Sequence, residues 1–406
     1  MSEMVPKVRF QGFTDDWEQR KLGEVTTRVR GNNEQMNLPT LTMSAGSGWL
    51  DQKDRFSGDI SGKEKKNYTL LSKGELSYNH GNSKLAKYGV VFVLRNYDEA
   101  LVPRVYHSFK TNKEAFGDFI EYMFATKLPD RELAKLVSSG ARMDGLLNIN
   151  YDDFMSINIT IPSISEQKQI SSLFRQLDNL ITLHQRKLDL LKEQKKGFLQ
   201  KMFPKDGQLV PEVRFAGFAD DWEQRKFGDV VDLHEEIVSG KTGLPIATSS
   251  RKGLFLQNEF FSGNRTGIDE NTIFHKVPVG FITYRHMSDD SIFKFNENIF
   301  DTAVLVSKEY PVFKSNEHSN QTFLLTHLNN SPEFLKFSTQ QKLGGTRVRL
   351  YFKNLKKYEL KVPSKEEQDS IGLFFKQLDN LITLHQRKLD LLKEQKKGFL
   401  QKMFVS

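Results

Sequence analysis

The sequence predicts an α+β fold in which two tandem mixed α/β domains are joined by two long antiparallel coiled-coil helices. Three observations lead to this prediction. A 28-residue stretch occurs twice without change, a heptad pattern runs through both copies, and the segments that precede the copies share a pattern of strands and helices. Such a duplication implies a pseudo-two-fold internal repeat. We therefore expect domains at residues 1–164 and 204–363, each followed by a helix, at 165–203 and 364–406.

The duplicated stretch reads QLDNLITLHQRKLDLLKEQKKGFLQKMF and occupies residues 176–203 and 377–404. Mainly apolar residues recur in alternating steps of four and three, the a/d pattern of a coiled coil. We call these positions the seam, because they are where the two helices are expected to meet. A helix from Ser165 to Met202 extends about 57 Å at 1.5 Å per residue. A histidine and a lysine at two seam positions of each copy help to fix the register. The first seam is Ile170, Phe174, Leu177, Ile181, His184, Leu188, Leu191, Lys195, Phe198 and Met202, and the second repeats it from Ile371 to Met403.

The start of each helix and the link between the halves determine how the helices pair. Pro162 and Pro363 prevent the helices from extending backwards, and a serine and a glutamate with capping-box spacing follow each proline. A short link at 204–207 leaves the end of the first helix and leads into the second domain. The second helix therefore begins near the end of the first and returns alongside it. We therefore expect the two helices to form an antiparallel pair.

Each domain opens with a nearly identical segment, which we call the head. Heads at 8–25 and 213–230 agree at 14 of 18 positions. Each contains one tryptophan, Trp17 or Trp222, which either binds a partner from an exposed position or packs the head against its domain. Packing is the favoured interpretation, because large aromatic side chains are usually buried.

The middles of the two domains differ in sequence but share a pattern. Alternating residues around a glycine predict strands at 70–79 and 276–285. The same fold with different surface loops is expected in both. Further strands are expected at 90–94, 157–161, 303–306 and 358–362, and helices at 116–126 and 332–339.

Composition narrows the possible functions. The chain has no cysteine, which excludes disulfides, thiolate zinc sites and cysteine nucleophiles. It also lacks a signal-like or membrane-spanning apolar run, so we expect a soluble, cytoplasmic protein. The net charge of +8 is compatible with nucleic-acid binding, but the helices supply six of these charges. If the domains bind DNA, they must collect their positive charge on one face.

Polar, glycine-containing loops at matched places in the two domains hold the candidate DNA contacts. Asparagine amides suit adenine edges, arginine suits guanine, and lysine and serine suit phosphates. The alternative is an ordinary surface loop, which has the same composition. The candidates are Asn79, His80, Asn82, Lys84, Arg142, Asn264, Arg265, Arg285, His286, Arg347 and Arg349.

Catalytic signatures are not found. The glycines at 46–48 lack the third glycine of a dinucleotide loop, and 58–63 has the wrong spacing for a phosphate-binding loop. His234 has no second histidine at helical spacing, and the charged cluster at 129–135 is better interpreted as the start of a helix. We predict neither catalytic nor metal-binding residues.

The repeated Trp-Glu-Gln-Arg-Lys-x-Gly heads and the helices that run from Pro through Gln-Leu-Asp-Asn-Leu-Ile-Thr to Lys-Met-Phe resemble the specificity subunit (HsdS) of type I restriction–modification systems. The resemblance covers nearly the whole chain. It implies that each domain is a target recognition domain for one half of a bipartite, asymmetric DNA site. It also implies that the helices set the gap between half-sites and dock two modification (methyltransferase) subunits.

The same resemblance assigns the chemistry to partner subunits. Modification subunits would bind S-adenosylmethionine and methylate adenine, and a restriction subunit would supply Mg²⁺- and ATP-dependent translocation and cleavage. No cofactor is expected in this chain. Two other function classes remain: an enzyme acting alone, such as a nuclease, and a coiled-coil scaffold that binds proteins without DNA specificity.

Identity of the helices extends to their outer positions, which a coiled-coil seam does not require. One kind of partner bound twice explains this identity, and so does a recent duplication; the two explanations are compatible. The candidate partner-binding residues are Gln185, Arg186, Gln200, Lys201, Gln386, Arg387, Gln401 and Lys402.

Overall fold

The computed structural model describes residues 4–56, 62–81, 83–137, 146–205, 207–260, 271–342 and 347–405, without the side chains of residues 63 and 64. The chain divides into two compact units, residues 1–185 with 387–406 and residues 186–386. Each unit therefore contains one domain together with a part of each long helix.

The first domain is built around an antiparallel four-stranded sheet in the order β2-β9-β6-β7, accompanied by the pairs β3-β4 and β5-β8. Its strands are β1 (Glu18–Lys21), β2 (Thr26–Arg28), β3 (Leu41–Ser44), β4 (Gly48–Asp51), β5 (Thr69–Ser72), β6 (Leu76–Asn79), β7 (Val90–Val93), β8 (Glu99–Val102), β9 (His107–Thr111) and β10 (Asn158–Ile161). Its helices, in chain order, are α1 (Gln52–Phe56), α2 (Gly117–Ala125), α3 (Asp130–Leu136), α4 (Tyr151–Met155) and the long α5 (Ile164–Lys201).

The second domain has a corresponding antiparallel sheet in the order β12-β21-β17-β19, with β13-β16-β20 and β14-β15 beside it. Its strands are β11 (Glu223–Lys226), β12 (Val231–His234), β13 (Ile237–Ser239), β14 (Ala247–Ser250), β15 (Gly253–Leu256), β16 (Ile273–Val277), β17 (Ile282–Tyr284), β18 (Met287–Ser288), β19 (Phe295–Glu297), β20 (Val304–Ser307), β21 (Val312–Ser315), β22 (Val348–Arg349) and β23 (Glu359–Val362). Its helices are α6 (Gln257–Phe260), α7 (Gln321–Asn330), α8 (Pro332–Gln340), α9 (Phe352–Leu355) and the long α10 (Lys365–Lys402).

The matching strand orders confirm that the divergent middles share one fold. In each domain the strand of the head pairs antiparallel with the strand that precedes the long helix, as β1 with β10 and β11 with β23. The predicted helices at 116–126 and 332–339 are present as α2 and α8. Helix α7, the counterpart of α2, is absent from the sequence prediction.

The two long helices run antiparallel within each unit, as predicted. In the first unit Phe174 of α5 lies beside Phe404, and Asp178, farther along α5, pairs with the earlier Lys396 of α10. In the second unit Lys195 pairs with Asp379, and Phe198 contacts Phe374. The lysine at a seam position thus has an aspartate of the opposite helix as its partner in both units, which fixes the helix register through opposite charges.

Each head connects an end of α5 to an end of α10. In the first unit the Arg9 guanidinium donates from Nε and Nη2 to both carboxylate oxygens of Glu166, at 2.8 and 2.9 Å, near the start of α5. The Val8 amide donates to the Lys402 carbonyl at 2.9 Å, at the end of α10. Serine Oγ atoms accept from the Glu166 and Glu367 amides, so half of each predicted capping box is formed. The second unit has the corresponding contacts Arg214–Glu367 and Val213–Lys201.

Both head tryptophans are buried, which confirms that they pack the heads. Trp17 lies edge-on against Phe119 of α2 and against Phe404, which follows α10. Trp222 contacts Phe323 of α7 and Phe203, which follows α5, in the same way. The core of each domain therefore extends to the end of a long helix.

Candidate nucleic-acid interface

In each domain a central strand of the sheet carries a buried tyrosine at or next to its last residue. Tyr78 of β6 donates from its hydroxyl to the Tyr88 carbonyl at 2.8 Å, and its ring stacks on Phe154 at a centroid distance of 4.1 Å. Tyr284 of β17 donates to the Leu350 carbonyl at 2.9 Å. Burial raises the pKa of both phenols, which keeps them neutral donors. These tyrosines anchor the chain just before the candidate loops.

Two residues after each tyrosine is a histidine, which is hydrogen-bonded to a segment far away in the sequence. The His80 ring donates from Nδ1 to the Leu147 carbonyl at 2.8 Å, and the Leu147 amide donates back to the His80 carbonyl at 2.9 Å. In the second domain the Leu350 amide donates to the His286 carbonyl at 2.8 Å. We call residues 78–81 with 146–149 the first junction, and residues 284–288 with 347–351 the second junction.

Both histidines, predicted as DNA contacts, are buried, with 5% and 6% of their surface exposed. The ring of His286 stacks on Tyr351 at 5.6 Å. Burial lowers the pKa of His286, and the charges of Arg349 and Arg285 lower it further against the opposing effect of Glu309. The contacts of both histidines indicate that their side chains hold the junctions in place. Direct contact of these histidines with DNA stays a prediction, and their burial disfavours it.

The first junction borders a cleft of about 400 Å³. Asn79 and Lys84, both predicted contacts, line it together with Ser83 of the same loop and Arg55 of α1. The Asn79 Oδ1 accepts from the Gly81 amide at 3.0 Å, which fixes the side-chain amide at the cleft wall. Arg55 donates to the Met43 carbonyl at 3.2 Å, and the sequence offered no pattern that singled it out. The predicted contacts Asn82 and Arg142 lie outside the described residues.

The second junction brings four arginines together. Arg285 and Arg349, both predicted, are exposed, and Arg349 lies opposite Met287 where β18 pairs with β22. Arg347, also predicted, donates from Nε to Asp289 at 2.8 Å. Arg251 pairs with Asp290. It was not found from the sequence, because its turn between β14 and β15 is distant along the chain from Arg285 and Arg349. The predicted contacts Asn264 and Arg265 lie outside the described residues.

The described part of the chain contains no group of three or more histidine, cysteine, aspartate or glutamate side chains placed to hold a metal ion. Within the same ranges no helix is long and apolar enough to cross a membrane. The prediction that the chain has neither metal nor cofactor of its own stays a prediction.

Comparison with known proteins identifies the family. The family model described as "Type I restriction modification DNA specificity domain" matches residues 14–193 and 219–394, one match in each half. The chain belongs to this family. Its role is therefore DNA sequence specificity in a type I restriction–modification system.

Individual relatives of this specificity family match most of the chain. It is 21% identical over 428 residues to the "Putative type I restriction enzyme MjaX specificity subunit" of Methanocaldococcus jannaschii, covering 98% of this chain and 95% of the relative. It is 23% identical over 317 residues to the type I restriction enzyme MjaVIII specificity subunit of the same organism, covering 71% and 70%. The fold is similar to the crystal structure of the type I restriction–modification S subunit from M. genitalium, with 15% identity, a TM-score of 0.60 and coverage of 99% and 100%.

Outer positions of the helices in this specificity-family chain are accessible in both units. Most of the predicted partner-binding residues are exposed, and Gln185 and Gln386 are half-buried. Exposed leucines, which the sequence analysis did not single out, occupy the same helices: 62% of Leu183 is exposed in the first unit and 51% of Leu190 in the second. The exposed predicted residues are Arg186, Gln200, Lys201, Arg387, Gln401 and Lys402.

Proposed function

We propose that each domain reads one half of a bipartite, asymmetric DNA site through the exposed side chains of its junction. One observation carries this proposal: the junctions share a buried frame but differ in the residues they expose. A tyrosine and a histidine in the same places hold both junctions. Beside the first junction, Lys84 is exposed and lines the same cleft as the half-buried Asn79, whereas the second junction exposes Arg285 and Arg349. The same frame with different exposed donors is suited to reading two different base sequences.

The long helices are proposed to bind the two modification subunits, and the assembled complex to recruit the restriction subunits. Identical outer residues and exposed leucines recur on both helices, so each copy offers a partner the same contacts. We place S-adenosylmethionine, ATP and Mg²⁺ in those partners, which would carry out adenine methylation and DNA cleavage. This chain would contribute specificity without catalysis, in the cytoplasm beside the DNA it selects.

Methylome sequencing tests the proposal directly. A host that expresses this chain with its modification subunits is expected to gain methyladenine on both strands of one bipartite motif. Replacing residues 1–164 by the corresponding domain of a different family member should change one half of the motif and keep the other half and the spacer. A host that lacks this chain is the control.

Two outcomes would contradict the proposal. If the assembled complex produced no new motif, the chain would act as a protein scaffold. If the domain replacement changed both half-sites together, each domain would not read its own half-site independently of the other.

A second expected result concerns the distance between the half-sites. Deleting residues 184–190 and 385–391 removes one heptad from each helix and preserves both seams. The helices shorten by about 10 Å, equivalent to about three base-pair steps of 3.4 Å. Methylome sequencing should return the original half-sites with a shorter spacer, and new half-sites with the original spacer would contradict the role of the helices.

A further inference from the structure

The second junction contains a two-stranded antiparallel ribbon, formed by residues 285–289 and 347–351. Strands β18 and β22 pair in the register Met287 with Arg349 and Ser288 with Val348. The Leu350 amide continues the pairing by donating to the His286 carbonyl. At the other end, Asp289 and Arg347 are joined through their side chains. We call these ten residues the ribbon.

The ribbon has one buried face and one exposed face, because successive side chains of a strand point to opposite sides. The buried face packs into the domain and consists of His286, Ser288, Val348 and Leu350. The other face is exposed apart from a half-buried methionine, and it consists of Arg285, Met287, Asp289, Arg347, Arg349 and Tyr351. Three of its six side chains are guanidinium groups.

The arginines of this region differ in how firmly the protein holds them. Asp289 binds Arg347 at Nε, and Asp290 binds the neighbouring Arg251. Arg285 and Arg349 have no hydrogen bond or ion pair through their side chains within the described part of the chain. Arg349 lies opposite Met287, and Arg285 lies two residues before Met287 on the same face of the ribbon. Two unpaired guanidinium groups therefore lie close together on one exposed β surface.

The described residues of the first domain form no such surface at the corresponding place. They show an antiparallel bridge between Gly81 and Leu146, where the second domain has Met287 and Arg349. The neighbouring predicted contact is the amide of Asn79, which already binds the Gly81 amide. The described residues at and beside the first junction thus offer the amide of Asn79 and the lysine Lys84 in place of two unpaired arginines.

We propose that the ribbon enters the major groove of DNA and that Arg285 and Arg349 each bind a guanine in the half-site read by the second domain. This proposal rests on the proposed function and adds the base class. A two-stranded β-ribbon fits the width of the major groove. Unpaired guanidinium forks match the O6 and N7 acceptors of guanine. Asp289 positions Arg347 at the ribbon end, where it is suited to a phosphate or a third base.

The test uses the complex of the full chain with its modification subunits. Its probe is a duplex library in which the second half-site is randomised and the first is fixed. Arg285→Ala and Arg349→Ala are each expected to abolish the preference for guanine at one position, a loss of roughly 5- to 150-fold in discrimination. Preferences in the first half-site should be unchanged. Arg225→Ala on β11 is the control, because it removes one half-buried guanidinium, paired with Glu223, from the same domain outside the ribbon.

The possible failures can be told apart. Uniform weakening on all sequences, with the guanine preference kept, would mean that the arginines bind phosphates and would overturn the inference while leaving the proposed function intact. A second half-site without guanine would overturn it as well. A wild-type complex with no sequence preference in either half would overturn the proposed function itself.

Discussion

Replacing Arg9 by alanine is expected to lower the free energy of unfolding of the first unit by about 3 kcal/mol. The Glu166 side chain is 1% exposed, and Arg9 supplies a hydrogen bond to each of its carboxylate oxygens. Removing the guanidinium leaves a buried charge without its partner, which is costly in a medium that solvates ions poorly. The expected loss lies at the lower end of the range for a buried pair because 14% of the Arg9 side chain remains exposed.

A nearby ion pair provides the matched control. Arg20 pairs with Glu18 in the same head, but 42% and 66% of these side chains are exposed. Arg20→Ala is expected to cost much less stability than Arg9→Ala, because water screens exposed ion pairs. Urea unfolding of the three proteins measures the difference. Equal losses for the two variants would show that the Arg9 pair does not hold the head to α5.

The second large effect is a loss of stability in acid that depends on His327. Burial, and to a smaller extent the nearby charge of Lys361, lower the pKa of His327 from 6.5 to about 4. Its Nε2 hydrogen-bonds the Tyr358 hydroxyl at 2.7 Å, and no described residue accepts from its Nδ1. The protonated ring would therefore have one N–H group without an acceptor in an aromatic environment.

The sign of the effect follows from the two pKa values. Between pH 6.5 and pH 4 the unfolded chain binds a proton at His327 that the folded chain does not bind, so stability falls as the pH falls. The loss from pH 7 to pH 4.5 amounts to about 2.5 kcal/mol. Well above pH 6.5 the ring is neutral in both states, and this histidine contributes no pH dependence. Urea unfolding at pH 7 and pH 4.5 measures the difference.

The first domain suggests the control variant. Met123 lies four residues after Phe119 in α2, as His327 lies four residues after Phe323 in α7, and both phenylalanines contact the head tryptophan. His327→Met thus introduces the residue that the sister domain has at this place. It should reduce the acid sensitivity by about 2.5 kcal/mol relative to the wild type. Identical acid sensitivity in both proteins would mean that His327 is protonated in the folded chain near its ordinary pKa.

The candidate site was only partly predictable from the sequence. Matched loops identified Asn79, Lys84, Arg285 and Arg349, because a duplicated fold places the same loop at the same surface in both halves. Arg55 was missed because its approach to the cleft depends on a hydrogen bond to the main chain of a neighbouring strand. Residue type alone did not separate the buried histidines from their exposed neighbours.

Helix α7 shows the same limit for secondary structure. Its sequence, QTFLLTHLNN, contains threonine, histidine and asparagine, which have weak helix propensity. Tertiary contacts overcome this preference, since Phe323 and Leu324 are completely buried in the domain core. The one local indication is Asn320, whose side chain accepts from the Phe323 amide and caps the helix.

The sequence by itself determined the duplication, the two long helices, their antiparallel pairing and the family. Each of these depends on periodicity or repetition over neighbouring residues, which a linear chain displays directly. Only the tertiary structure decided which loops meet at the junctions and which of their side chains stay exposed. The contacts that form the junctions join residues 66 and 67 positions apart. Such pairings depend on how the whole domain packs, and packing likewise decides which polar groups are buried with partners and which remain free to bind DNA.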